Sequence, residues 1–147
     1  TVLDMDFDSD GLWLLGSSSL VILSPRGEIR GEYQFDPDYL KGYAMEGDGF
    51  VSLLLGKYRA GSARALVTID RDGGVIAQQE LNAQVLSMSA SGRYLALLTG
   101  QELNIYTSDL TLYNTLYDTQ GARHAAVYND ASVLLADSQE AWLYIPS

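Results

Sequence analysis

The side chains best suited to chemistry in this chain are carboxylates, and they are densest at its start. Asp4, Asp6, Asp8 and Asp10 alternate along the chain and are followed by Gly11. Asp6-x-Asp8-x-Asp10-Gly11 is the opening of a calcium loop, where alternate carboxylates converge on a hard cation and glycine permits the sharp turn. The continuation departs from that chemistry. An EF-hand loop closes on a Glu at its twelfth position, which Ser17 occupies here, and Leu14 stands at the ninth. The residues therefore predict a solvated acidic turn at Ser9-Asp10-Gly11 and no metal site.

A second group is basic. Lys57-Tyr-Arg-Ala-Gly-Ser-Ala-Arg-Ala65 holds Lys57, Arg59 and Arg64, three of the nine cations of the chain, with Tyr58 between them. Guanidinium and ammonium groups gathered on one loop can hold a carboxylate or phosphate by charge-assisted hydrogen bonds. Nucleophilic and acid–base chemistry finds less support. The chain has no cysteine and a single histidine, His124. This leaves no thiolate nucleophile, no Cys-based zinc site and no His-rich metal site. No Gly-x-Ser-x-Gly elbow is present, and Gly73-Gly74 lacks the Lys and helix of a phosphate-cradling loop. Carboxylates abound, but nothing in their spacing selects a glycosidase pair. The expectation is a non-enzymatic chain with no cofactor.

Composition bounds the partners. The 147 residues carry a formal net charge of −10, with 47% hydrophobic and 19% charged residues, a globular composition. Nine basic against nineteen acidic residues argue against nucleic acid and against an anionic membrane surface. No apolar run approaches the ~20 residues of a membrane-spanning helix. The chain begins at Thr1, which reads as a fragment or processed product from which a targeting segment could have been removed.

The elements that must position these groups are strands in a repeat. Four segments align on the turn residues Gly11, Gly49, Gly92 and Ala131, spaced 38, 43 and 39 residues apart. Apolar runs of four to seven residues follow each turn and end at new turn signals, as in strands rather than helices. Each repeat continues into a third strand: Ser19 to Leu23, Ala65 to Ile69, Leu103 to Tyr106 and Trp142 to Ile145. A Pro-, Asp- or Gly-bearing turn and a fourth strand complete the first three repeats, and Ser147 falls before the fourth strand of the last. A period of ~40–50 residues with four strands each is that of β-propeller blades. Blades are expected at about 2–36, 40–81, 83–119 and 122–147. Trp13, Leu15, Val51, Leu53, Tyr94, Ala96, Val133 and Leu135 are expected between blades, as are Tyr33, Tyr106, Tyr117 and Tyr144.

Leu86-Ser-Met-Ser-Ala-Ser-Gly-Arg-Tyr-Leu-Ala96 followed by Leu103-Asn-Ile-Tyr106 resembles a blade of WD40-type or related bacterial propellers, although Tyr106-Thr107 stands where that family has Trp-Asp. The whole pattern also resembles the propeller part of membrane-anchored extracytoplasmic proteins of clostridia-like bacteria. That resemblance would imply an exported location and supplies no activity.

The chain is thus expected to be all-β, an array of about four four-stranded antiparallel blades forming an incomplete propeller. Propeller topology would place Arg123 and His124 on the same face as the Lys57–Arg64 loop, so that Lys57, Tyr58, Arg59, Arg64, Arg123 and His124 form the candidate binding set. The expected function is a binding or scaffold domain for a protein or a small anionic or glycan ligand. Two alternatives stand beside it: part of a larger propeller enzyme or sensor with a channel site completed by other blades, and a structural domain that self-associates through open blade edges.

Overall fold

The computed structural model describes residues 1–147 and contains fifteen strands and no helix. Blade 1 is a meander of β1 (Val2–Asp8), β2 (Gly11–Gly16), β3 (Ser19–Leu23) and β4 (Ile29–Gln34). Blade 2 is β5 (Tyr39–Ala44), β6 (Phe50–Gly56), β7 (Ala65–Asp70) and β8 (Val75–Glu80). Blade 3 is β9 (Val85–Ser91), β10 (Tyr94–Thr99), β11 (Leu103–Thr107) and β12 (Leu112–Leu116). Blade 4 has three strands, β13 (His124–Val127), β14 (Val133–Ala136) and β15 (Ala141–Tyr144). All pairings between neighbouring strands are antiparallel.

The turn between third and fourth strands is built alike in blades 1 to 3. In blade 1 the Gly27 amide donates to the Ser24 carbonyl at 2.9 Å and the Ser24 amide to the Glu28 carbonyl at 2.7 Å, and the register slips by one residue at Leu23. The residue that bulges must adopt positive φ, which glycine does without steric cost. Gly27 and Gly73 sit there at 86° and 83°, and Leu110 takes the same position in blade 3 at 61°. The turn residues used to align the repeats share this property: Gly11, Gly49, Gly92 and Ala131 all have positive φ.

Each joint between blades is an apolar layer. Trp13, Leu15, Leu20 and Ile22 of blade 1 pack on Val51 and Leu53 of blade 2. Phe50, Leu54 and Leu66 of blade 2 pack on Leu95, Leu97 and Tyr106 of blade 3. Tyr94, Ala96 and Leu98 of blade 3 pack on Ala125, Val133 and Leu135 of blade 4. All eight second-strand residues assigned to the joints from sequence are buried. They do not all look the same way, however. Trp13, Leu15, Tyr94 and Ala96 face the following blade, whereas Val51, Leu53, Val133 and Leu135 face the preceding one. Of the four tyrosines assigned to joints, Tyr33, Tyr106 and Tyr144 pack at them. Tyr117 is 77% exposed, because it lies just past the outer strand β12, beyond the reach of a neighbouring sheet.

The arc stays open. Every residue of β6 and β10 is buried, since the two middle blades are covered on both faces. In β2 and β14 buried and half-buried residues alternate, the rhythm of a sheet covered on one face only. No apolar layer joins blade 4 to blade 1.

Candidate functional site

The acidic start of the chain is spent on the first joint. Asp8 ends β1 and Asp10 lies in the β1–β2 hairpin tip, and Arg71, from the β7–β8 turn of blade 2, reaches both. One guanidinium nitrogen donates to the two Asp8 carboxylate oxygens at 3.1 and 3.2 Å, and the other lies 3.3 Å from Asp10. Partial burial on its own raises the Asp8 carboxyl, but the Asp10 amide and the Arg71 guanidinium outweigh it and the net shift is downward. Asp6 has no cationic partner. Burial, then the Glu46 and Asp8 charges, push its carboxyl up. No group of three or more His, Cys, Asp or Glu side chains is gathered at metal-binding separation.

The basic loop lies at the opposite end of the strands, between β6 and β7. The chain turns back at Gly56, where a Cβ would come within 2.9 Å of the Lys41 side chain and 3.2 Å of the Ser62 carbonyl. Gly61, at φ 96°, supplies the reversal, and the Arg64 amide closes the loop on the Leu55 carbonyl at 2.8 Å. The innermost strand of the blade holds the loop down. Lys41 on β5 donates from Nζ to the Arg59 carbonyl at 2.5 Å, and the Arg59 guanidinium stands 5.9 Å from the centre of the Tyr39 ring. The loop therefore leans over β5, toward the axis around which the blades are arranged. Tyr58 is exposed at its tip.

Four cavities lie along the Leu81–Gln84 link between blades 2 and 3, one of them a 270 Å³ space bounded by Ser62–Arg64 of the loop. A second, of 220 Å³, is lined by Lys57 and Arg64 together with Asp38 and Glu80. A third, of 460 Å³, is lined by Lys41, the Gly61–Ala63 segment and Gln84. The fourth is a groove of 510 Å³ between the blades, lined by the amide side chains of Gln79, Asn82, Gln84, Gln101 and Asn104 and by Tyr106. Gln79 donates to the Tyr106 hydroxyl at 3.3 Å across it. None of Lys41, Lys57, Arg59 and Arg64 takes part in an ion pair; the ion pairs of the chain belong to Arg30 and Arg71.

The structure thus brings Lys57 and Arg64 to one cavity with Arg59 and Tyr58 on the rim. Arg123 and His124 stand at the start of β13, two blades away, and line none of these cavities. There the Arg123 amide donates to the Ala136 carbonyl at 2.8 Å and His124 pairs with Ala136 in the ladder. Sequence reading missed Tyr39 and Lys41. Strand alternation gives no signal here, because the register slips at Lys41, between Leu40 and Gly42, and nothing local says that a loop sixteen or more residues later folds onto it.

No family model matches the chain, and no curated protein matches it. Solved structures do. The WD40 domain of Pan2 from Neurospora crassa matches with a TM-score of 0.59 at 16% identity, over 97% of this chain and 46% of its own. BBS1N, solved in complex with ARL6DN, matches with a TM-score of 0.65 at 17% identity, over 97% of this chain and 51% of its own. The computationally designed protein Ika4 matches with a TM-score of 0.66 at 6% identity, over 98% of this chain and 90% of its own. The chain spans about half the length of the Pan2 and BBS1N chains it matches. At these identities the likeness concerns the fold alone, and with the four meandering sheets and their apolar joints it makes the chain an incomplete β-propeller.

Proposed function

We propose that this chain is a non-enzymatic binding module that captures an anionic group, a carboxylate or phosphate of a protein or glycan partner, at the Lys41, Lys57, Arg59 and Arg64 rim. One observation carries the proposal. On a protein of net charge −10, four of the nine cations surround one concave region and none is neutralised by an ion pair. Asp38 and Glu80 line the same cavity but form no ion pair with these cations, which leaves charge-assisted donors available to a ligand. The amide groups of the neighbouring groove, which Glu80 and Glu102 also line, extend the site with uncharged donors and acceptors suited to peptide or sugar. BBS1N, a propeller of the same fold, is seen with a protein partner, which supports a protein ligand here. The exported location implied by the resemblance to membrane-anchored proteins belongs to the same proposal.

The test is a titration with a short Glu-rich peptide and, separately, with inorganic phosphate, followed residue by residue by NMR. Shifts are expected at Lys57–Arg64, Lys41 and the Leu81–Gln84 link. Arg59→Ala with Arg64→Ala should weaken the peptide about tenfold or more, since a hydrogen bond to a charged group is worth about 1.5–3 kcal/mol. Unchanged affinity in that double variant, or shifts confined to other surfaces, would sink the proposal.

A further inference from the structure

Blade 1 and blade 4 each end the arc with an uncovered sheet face. Cross-strand pairing assigns the residues. On blade 1, Phe7 lies opposite Leu12, which lies opposite Leu23, and Met5, Leu14 and Val21 form the next row. On blade 4, Ala126, Leu134 and Leu143 form one row. Phe7 is 76% exposed, Met5 59% and Leu143 52%, although each sits in a strand with apolar neighbours on the same face. Contiguous exposed apolar surface of this kind marks an interaction site.

The internal joints show what fits these faces. Tyr94 begins β10 after a two-residue tip, as Gly11 begins β2, so Leu95 and Leu97 of blade 3 correspond to Leu12 and Leu14 of blade 1. Leu95 and Leu97 are covered by Phe50, Leu54 and Leu66 of blade 2. Blades 2 and 4 share the opposite setting of their turn residues, and Leu134 lies on the face of blade 4 that corresponds to the Leu54 face of blade 2. In the facing of its strands the chain therefore repeats a two-blade pattern twice. The joint between blades 2 and 3 is the kind of joint that blade 4 would make with another blade 1.

The joint between blades 1 and 2 adds a charge rule for how one blade meets the next. At the first joint the turn after the third strand of blade 2 reaches back to the first hairpin of blade 1, placing Arg71 on Asp8 and Asp10. The same turn of blade 1 carries Arg26, exposed and without an ion pair, and the first hairpin of blade 4 carries Asp130, exposed and accepting hydrogen bonds on one oxygen from the Ser132 amide and hydroxyl. The arc covers about half of the Pan2 and BBS1N chains it superposes on, so two arcs placed head to tail span about the length of one such chain.

We infer that the open faces are covered by a second copy of this chain. Blade 4 of each protomer packs on blade 1 of the other, which closes a two-fold symmetric ring of eight blades. A heterologous contact that closes after two steps buries both ends and leaves no open face for further growth.

Sedimentation velocity on the 147-residue chain tests this. A species of twice 16.1 kDa is expected, with its mass constant as concentration rises. Phe7→Glu and Leu143→Glu change side chains that are mostly exposed in the single chain, so each variant should keep a cooperative thermal transition while sedimenting as a monomer. Mixing the two variants should restore part of the dimer, because such a pair has one intact joint. A wild-type monomer at hundreds of micromolar, a mass that climbs with concentration, or dimers that persist in both variants would each overturn the inference.

Discussion

Gly31→Ala offers the sharpest test of how the blades are held. Gly31 lies on β4 opposite Ile22, and a Cβ there would come within 2.0 Å of the Asp72 carbonyl oxygen and 2.8 Å of the Gly73 nitrogen. The β7–β8 turn of blade 2 thus rests directly on the backbone of blade 1, beside the 3.5 Å ion pair of Arg30 and Asp72. Ordinarily Gly→Ala at a compatible position stabilises by about 0.4–1 kcal/mol, because the unfolded chain loses freedom. Here the neighbour is backbone on both sides and cannot swing away, so the blades must part. Overpacking of this kind costs roughly 1–3 kcal/mol, leaving a net loss of about 1–2 kcal/mol.

Two further glycines separate the causes. Gly27 has φ 86° with nothing within 4 Å of its virtual Cβ, so Gly27→Ala probes backbone strain alone. A left-handed conformation costs an L-residue roughly 1–2 kcal/mol, and the net loss should be about 0.5–1 kcal/mol after the unfolded-state gain. Gly100 has an unstrained φ and equally open space, so Gly100→Ala should gain about 0.4–1 kcal/mol. Urea unfolding with unchanged m-values should rank the midpoints Gly100→Ala, wild type, Gly27→Ala and Gly31→Ala, from highest to lowest. In a chain of this length each kcal/mol moves Tm by about 2–4 °C. A Gly31→Ala midpoint at or above that of wild type would refute the close approach of the two blades.

Other substitutions follow from single observations. The Ser52 hydroxyl is buried at the joint of blades 2 and 3 with no hydrogen-bond partner; Ser52→Ala should raise stability by about 1 kcal/mol, read as a higher urea midpoint. Arg71→Ala should lower stability at pH 7 by about 1 kcal/mol, the Asp8 carboxylate being partly exposed and screened, with most of that loss gone in about 0.5 M salt. Because the native Asp8 carboxyl titrates below its ordinary value of 3.8, its stabilisation is complete above that value and disappears as pH falls through the lower native one. Wild type and Arg71→Ala should therefore converge in that acid range when unfolding is followed against pH. Asp6 has the opposite sign: its native carboxyl is raised, so the ionised form is disfavoured in the fold at neutral pH. Asp6→Asn should stabilise the chain at pH 7, and the gain should vanish as pH falls below the ordinary carboxylate range, where Asp6 is protonated in wild type too.

The strands were legible because their signals are local. Ser19–Leu23 was expected from a short apolar run between turn signals and is found with the same limits. The basic loop was legible as a loop, and Lys57, Arg59 and Arg64 as its cations, because length and charge are properties of a segment. The partners of those residues were not. Tyr39 and Lys41 join the site only because β5 is the inner neighbour of β6, a pairing between separate stretches of chain. The acidic start shows the same limit: its alternating carboxylates were visible, but the cation that Asp8 and Asp10 meet is a single arginine more than sixty residues away in a turn that carries Asp and Gly as well.

The facing of the second strands shows where a repeat pattern stops informing. Aligning Gly11, Gly49, Gly92 and Ala131 implies that residues two places on occupy one environment in every blade. Burial obeys that rule and direction does not. The β1–β2 and β9–β10 hairpins close over two-residue tips, Ser9-Asp10 and Gly92-Arg93, whereas Val127 and Val133 pair across five residues in blade 4 and Ala44 and Ser52 across seven in blade 2. Tips of even and odd length set the turn residue at different points of the pleat, and a shift of one residue moves a strand's side chains to the other face. Trp13 and Val51 therefore meet each other across one joint instead of each meeting the next in sequence. Hydropathy cannot register this, because blades 2 and 3 are apolar on both faces and either direction buries the same residues. Only the end blades break the symmetry. There a half-buried Leu14 and an exposed Leu143 show which face is uncovered, and the alternation from blade to blade makes those two uncovered faces match one another as blades 2 and 3 do.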